Sequence, residues 1–161
     1  MTEAPTDLER LLALEELRTL RGRYWRYVDT KRWAEFGELF AEDGSFSDRV
    51  SDFFCESREG VVSAISAALD GVTSIHQGQQ SELEVLSRDR ARGIWTMSDI
   101  LLYPPGSSSP YSILRGWGHY VDEYVKVDGA WRFQKVDLYR LRVETVTESR
   151  TEYPPDFSIA G

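Results

Sequence analysis

The side chains able to move a proton are few, and their types and spacing decide what chemistry they would do together. The chain has two histidines and one cysteine in 161 residues. His76 stands in the run Thr73-Ser74-Ile75-His76-Gln77-Gly78, at the start of a strand, where an imidazole can face a concave surface. Neutral imidazole is the usual protein base near physiological pH, provided a carboxylate or carbonyl fixes its tautomer. Asp29 is the candidate orienting carboxylate. It closes the first helical segment, far from His76 in sequence, as in a dyad assembled by folding. Its alternative is to cap the next helix or to pair with Arg26 or Arg32 at helical spacing. Tyr24 lies about 140° round an ideal helix and about 7.5 Å along it from Asp29, off the same stripe but able to frame one wide pocket with it. Core packing with a locally bonded hydroxyl is the alternative for this tyrosine.

Asp99 follows Trp95 and Met97 at period two, so one strand face carries an indole, a thioether and then a carboxylate, an odd composition for plain core. A bulge turning Asp99 to water is the alternative. Arg140 sits among alternating residues with Arg142 expected on the same face, and a solvated basic edge is the ordinary explanation. His119, within Gly116-Trp117-Gly118-His119-Tyr120, has no named partner and reads as structural; the glycines mark a close backbone approach or a bulge. Cys55 reads as a small buried hydrophobe.

These groups need elements to hold them. From Asp7, Leu8, Leu11, Leu12, Leu17, Leu20, Tyr24, Tyr27 and Val28 recur at three and four, which predicts an amphipathic helix with Thr6 or Asp7 as its cap. Trp33, Phe36, Leu39 and Phe40 predict a second helix running to Asp43-Gly44, and Ser57 opens a third that ends at Asp70-Gly71. Phe46 to Cys55 reads as a short strand pair. From Thr73 the period changes to two, predicting four long strands separated by turns at Arg88-Asp89 and Asp128-Gly129 and by the longer breaker Pro104 to Pro110. Helices followed by a strand meander give an α+β domain whose curved, mostly antiparallel sheet wraps over the helices and leaves a pocket. One domain over residues 1–161 is expected, with its core at about 7–145 and an irregular tail over 146–161.

Composition limits the function classes. The balance of 19 Lys plus Arg against 27 Asp plus Glu gives a net charge of −8, which repels phosphate backbones and anionic membranes, so neither nucleic acid nor membrane is an expected partner. A single cysteine allows no internal disulfide, and two histidines leave few ligands for a metal, so none is expected. No Walker loop, dinucleotide fingerprint, zincin motif or nucleophile elbow is present. The absence of a basic, apolar N-terminal segment predicts a cytoplasmic location.

Leu20 to Asp29, Ile75-His76-Gln77-Gly78, Ala91 to Asp99 and Tyr120 to Trp131 together resemble the SnoaL-like branch of the nuclear transport factor 2-like superfamily. The likeness covers about residues 10–145 and is nearest to bile acid 7α-dehydratases, with scytalone dehydratases more distant. The resemblance implies a cone-shaped α+β barrel of the cystatin-like type. It implies catalytic roles for Tyr24, Asp29 and His76, and substrate-binding roles for Asp99 and Arg140, within apolar walls expected at Tyr27, Phe40, Trp95, Met97 and Trp117. The implied activity is a dehydratase that needs no cofactor, acting on a hydroxylated cyclic enone, steroid-like or polyketide-like, as free acid or coenzyme A thioester. Its carbonyl would serve as electron sink. An isomerase or cyclase using the same dyad, or a non-catalytic binding or dioxygenase β-subunit-like module, are the alternatives on this superfold. A homo-oligomer, trimer or dimer, is implied as well.

Overall fold

The computed structural model describes residues 4–49 and 51–147, so most of the expected tail lies outside the described residues. Helix α1 spans Asp7–Asp29 and opens on a reciprocal cap, in which Thr6 Oγ1 accepts from the Glu9 amide and the Glu9 carboxylate accepts from the Thr6 amide. Its buried stripe is Ala13, Leu17, Leu20, Arg21, Tyr24 and Val28. Leu8, Leu11 and Leu12 fall off that stripe and stay exposed, contrary to the sequence expectation.

The second helix is shorter than the periodicity predicts: α2 covers Trp33–Gly37, and Phe40 already belongs to strand β1, Phe40–Asp48. Tertiary packing overrides local spacing here, because Phe40 pairs with Phe133 and buries completely among Tyr24, Phe36 and Phe133. Strand β2, Phe53–Glu56, returns against β1 as the expected hairpin. Helix α3, Arg58–Ala68, is capped by Ser57, whose Oγ accepts from the Gly60 amide.

Four long strands follow: β3 Thr73–Val85, β4 Arg90–Leu102, β5 Ile113–Val127 and β6 Ala130–Val146. The β5–β6 turn places Asp128 at φ 49° and Gly129 at φ 80°, the paired left-handed conformation of a tight hairpin. The curved sheet has the order β2-β1-β6-β5-β4-β3 and stays unclosed at β2 and β3. Every pairing is antiparallel except β1 with β6, which makes the sheet mixed.

Two departures from regular pairing aim side chains. On β6, Trp117 of β5 faces Arg142 while Gly118 faces Arg140, so Leu141 is an extra residue. The bulge pushes Leu141 to 74% exposure and reverses the alternation. Arg140 and Val143 therefore both face inward, and Arg142 does not share the face of Arg140 as strict alternation predicts. A second shift, between Gly78 and Ser81 on β3, changes which residues face inward beyond His76.

Candidate active site

The site is built along one cross-strand row. His76 of β3 faces Asp99 of β4, and Asp99 faces Gly116 of β5. Directly opposed residues on one sheet face are near neighbours, so imidazole and carboxylate stand side by side. Gly116 leaves the third place empty, and the Arg140 side chain from β6 fills it. A Cβ at Gly116 would lie 2.0 Å from Arg140 Nη1 and 2.3 Å from Asp99 Oδ1. Arg140 donates from Nη1 to Asp99 Oδ1 at 2.9 Å and from Nη2 to Asp99 Oδ2 at 2.8 Å, a two-pronged ion pair. Its Nε donates to Asp48 Oδ2 at 3.2 Å. The two carboxylates around it hold the guanidinium above its ordinary range even though burial alone would lower it.

On the other side of His76 stands Asp29. Its Oδ1 lies 2.6 Å from His76 Nδ1, and its Oδ2 accepts from the His76 backbone amide at 2.8 Å. Oδ1 also accepts from Ser74 Oγ at 2.9 Å, and Ser74 Oγ accepts from Lys31 Nζ at 3.0 Å. Asp29 caps no helix: the N-cap of α2 is Arg32, without a side-chain bond, and Arg32 pairs with Glu35. With Nδ1 engaged by a carboxylate, the ring nitrogen left over is Nε2.

His76, Asp99 and Arg140 line a cavity of about 480 Å³. Its apolar walls are Val28, Phe46, Phe53, Ile65, Ala68, Leu69, Leu101, Leu114, Leu138 and Val143, and its further polar groups are Tyr24, Asp48, Ser51, Tyr103, Tyr111, Tyr120 and Thr145. That is the size and mixture of a small-molecule site. Tyr24 is 2% exposed and packs edge-on against Phe36, Tyr120 and Phe133. Burial pushes the phenols of Tyr24 and Tyr120 up, so both stay protonated donors.

The expected wall residues are elsewhere. Phe40 is fully buried in the core behind the cavity, and Trp95 and Met97 are core residues further along β4. Trp95 is held there by its Nε1 donating to the Tyr124 hydroxyl at 2.9 Å. Tyr27 lies between the Arg26 and Arg32 guanidinium groups, 4.9 and 5.1 Å from its ring centroid. Trp117 is 37% exposed on the outer face, because inward positions of β5 fall on Gly116, Gly118 and Tyr120. His119 shares that outer face, opposite Thr96 and Tyr139. Cys55 is half-buried, its thiol pushed up by burial.

Sequence reasoning missed the most buried charge. Arg21 is 0% exposed and donates from Nε to Asp122 Oδ2 at 3.0 Å and from Nη2 to Oδ1 at 2.5 Å. Tyr124 donates its hydroxyl to the same carboxylate at 2.6 Å. The guanidinium lies 4.4 Å from the Tyr24 ring centroid and 4.1 Å from that of Tyr120, beneath both cavity phenols. The signal was present: Arg21 falls on the Leu17, Leu20, Tyr24 stripe, and Asp122 falls between Tyr120 and Tyr124 at period two. Among the described residues no group of three or more His, Cys, Asp or Glu side chains converges to hold a metal ion.

A family model for the SnoaL-like domain matches residues 9–137. The chain belongs to the SnoaL-like family. Solved structures share this fold: a hexachlorocyclohexane dehydrochlorinase, LinA type 3 from Novosphingobium barchaimii, is 19% identical with a TM-score of 0.79, covering 92% of this chain and 100% of that one. A scytalone dehydratase-like protein from Novosphingobium aromaticivorans is 19% identical with a TM-score of 0.77, over 91% of this chain and 100% of that one. A Mycobacterium tuberculosis protein of unknown function is 25% identical with a TM-score of 0.70, over 83% and 75%. This SnoaL-like chain therefore carries the nuclear transport factor 2-like fold, and no described helix is long and apolar enough to cross a membrane.

Proposed function

We propose that this protein is a cofactor-independent dehydratase for a hydroxylated cyclic enone, steroid-like or polyketide-like. The observation that carries the reading is the Asp29–His76 pair, closed at 2.6 Å and opening on an apolar cavity that also holds the Asp99–Arg140 ion pair. A base alone fits many reactions. A base with a second charged group set beside it in the same row fits an elimination, in which a proton leaves one carbon and a hydroxyl leaves another. The names of the fold neighbours, a dehydrochlorinase and a dehydratase-like protein, are eliminations too.

In the proposed reaction His76 Nε2 takes the acidic proton, and the electron pair moves onto the substrate carbonyl. Asp29 holds the ring in the Nδ1–H form and stabilises the imidazolium. Tyr24 donates its hydroxyl to the oxygen on which charge develops; losing one such donor costs about 2.7–4 kcal/mol in other enzymes. Collapse of the enolate expels the hydroxyl, which leaves as water with the proton from His76. Asp99 and Arg140, beside the base in the same row, position the substrate or its leaving group.

The test is ultraviolet absorbance of the purified protein with a 7α-hydroxy-3-oxo-4-ene steroid, as free acid and as coenzyme A thioester. Extended conjugation produces a red shift. His76→Ala is expected to slow it at least about 10²-fold in a folded protein, and Asp29→Asn to slow it comparably. Ligand-induced thermal stabilisation without a red shift would move the reading to isomerisation, cyclisation or binding. Wild-type turnover in folded His76→Ala would remove His76 from the mechanism.

A further inference from the structure

Lys31 is built at a conformational cost and spends its amine on a hydroxyl. It lies just past the end of α1 with φ at 58°, the left-handed position that closes a helix and that glycine adopts more readily than lysine. Its half-buried Nζ donates to Ser74 Oγ at 3.0 Å. Ser74 is 4% exposed, and its Oγ lies 2.9 Å from Asp29 Oδ1. An ammonium group has only donors, so the Ser74 oxygen must accept from Lys31, which leaves the Ser74 proton to point at Asp29. Asp29 Oδ1 is the atom that meets His76 Nδ1.

We propose that Lys31 and Ser74 are positioning residues that lock the Asp29–His76 pair from behind: Lys31 fixes the Ser74 hydroxyl as a donor, and that donor fixes the carboxylate oxygen facing the imidazole. The backbone at Lys31 is set by the end of α1, where the Arg32 amide donates to the Tyr27 carbonyl at 2.9 Å and the Lys31 amide to the Val28 carbonyl at 3.2 Å; this closure aims the amine at Ser74. The competing use of the amine is local packing, since Nζ also lies 5.6 Å from the Trp33 ring centroid. Packing on Trp33 holds the link; it does nothing to the imidazole.

The inference rests on the reading of His76 and Asp29 as a working pair, and its test is independent of any substrate. Only two histidines are present, so histidine labelled with nitrogen-15 gives two ring systems, and His119→Gln assigns them. The measurement is the rate at which the His76 Nδ1 proton exchanges with water at a pH where the ring is neutral, which reports how often the bond to Asp29 opens. Ser74→Ala and Lys31→Gly are each expected to raise that rate about fivefold or more, the weight of one net hydrogen bond. Ser74→Thr, which keeps the hydroxyl, is expected to retain the wild-type rate. Lys31→Gly removes the amine and relieves the left-handed backbone together, so its melting temperature is expected to be unchanged or higher while the exchange rate rises. Exchange within twofold of wild type in both variants would overturn the proposal. So would loss of the fold in Lys31→Gly, because Lys31 would then serve the link and not the pair. A failed dehydration assay would overturn the functional reading and leave the exchange result standing.

Discussion

Gly116→Ala isolates what the vacancy beside Asp99 is for. The added methyl would lie 2.0 Å from Arg140 Nη1 and 2.3 Å from Asp99 Oδ1, distances that force movement. Both atoms belong to flexible tips, so overlap alone would be cheap. The cost comes from what those tips are doing. Asp99 is 2% exposed, and both of its oxygens are engaged by Arg140, at 2.9 and 2.8 Å. Deleting one partner of a buried pair costs about 3–5 kcal/mol; displacing it, with Asp48 still available to Arg140, should cost about 1–3 kcal/mol. For a chain of 161 residues that is a fall in melting temperature of about 2–12 °C. Urea unfolding and calorimetry of Gly116→Ala give the number directly. In an Asp99→Ala/Arg140→Ala background the same methyl meets no charged group, and the change should shrink to within about 0.5 kcal/mol. Wild-type stability in the single variant, or an equal loss in both backgrounds, would refute the reasoning.

Two further outcomes follow from the buried groups. Arg21→Met strands the Asp122 carboxylate in the core and should lower stability by about 3–5 kcal/mol, whereas Arg21→Met with Asp122→Leu should recover at least half of it; a single variant within about 1 kcal/mol of wild type in urea would refute this. Burial raises the phenols of Tyr24, Tyr120 and Tyr124 above their ordinary range, so above about pH 10 the folded chain keeps protons the unfolded chain has lost. Stability should therefore be complete below pH 10 and fall as pH rises beyond it, with three of the eight tyrosines silent in an absorbance titration until the chain unfolds. Eight phenols titrating together in the folded protein would contradict it.

What the sequence made legible follows from period and chemistry. Asp99 behind Trp95 and Met97 was readable as an inward carboxylate because β4 alternates without interruption through these residues. The meeting of Asp29 with His76 is non-local, 47 positions apart, whereas its competitor, helix capping, is local and equally compatible with the sequence. Only the packing of α1 on β3 brings the two within 2.6 Å. The walls were misread for one reason: apolar character marks burial, but not whether the buried side chain meets a cavity or other side chains. Phe40 and Trp95 satisfy the first condition and fail the second. Strict alternation puts Arg142 on the face of Arg140 and cannot foresee the bulge at Leu141. Arg21 was passed over since a charged residue on an apolar stripe looks like an interruption until its partner, 101 positions away, is known.

The single parallel pairing also means that the sheet is completed only when its last long strand is present. Strand β1 joins the main sheet only through β6, with Phe46 against Val136 and Asp48 against Leu138. A nascent chain that has released residues up to Asp128 holds the three helices, the β1–β2 hairpin and three long strands, and β1 can pack on α3 and, through Phe40, on Tyr24 and Phe36, but the strand it pairs with in the main sheet is still missing. Asp48 and Arg140 first meet when the last long strand emerges, and the cavity wall made by Phe46 and Phe53 arrives with them. Contacts of such long sequence separation form late and slowly. Until the last strand pairs, the β6-facing edge of β1 lacks its partner, and that is when it can offer an open edge to other chains.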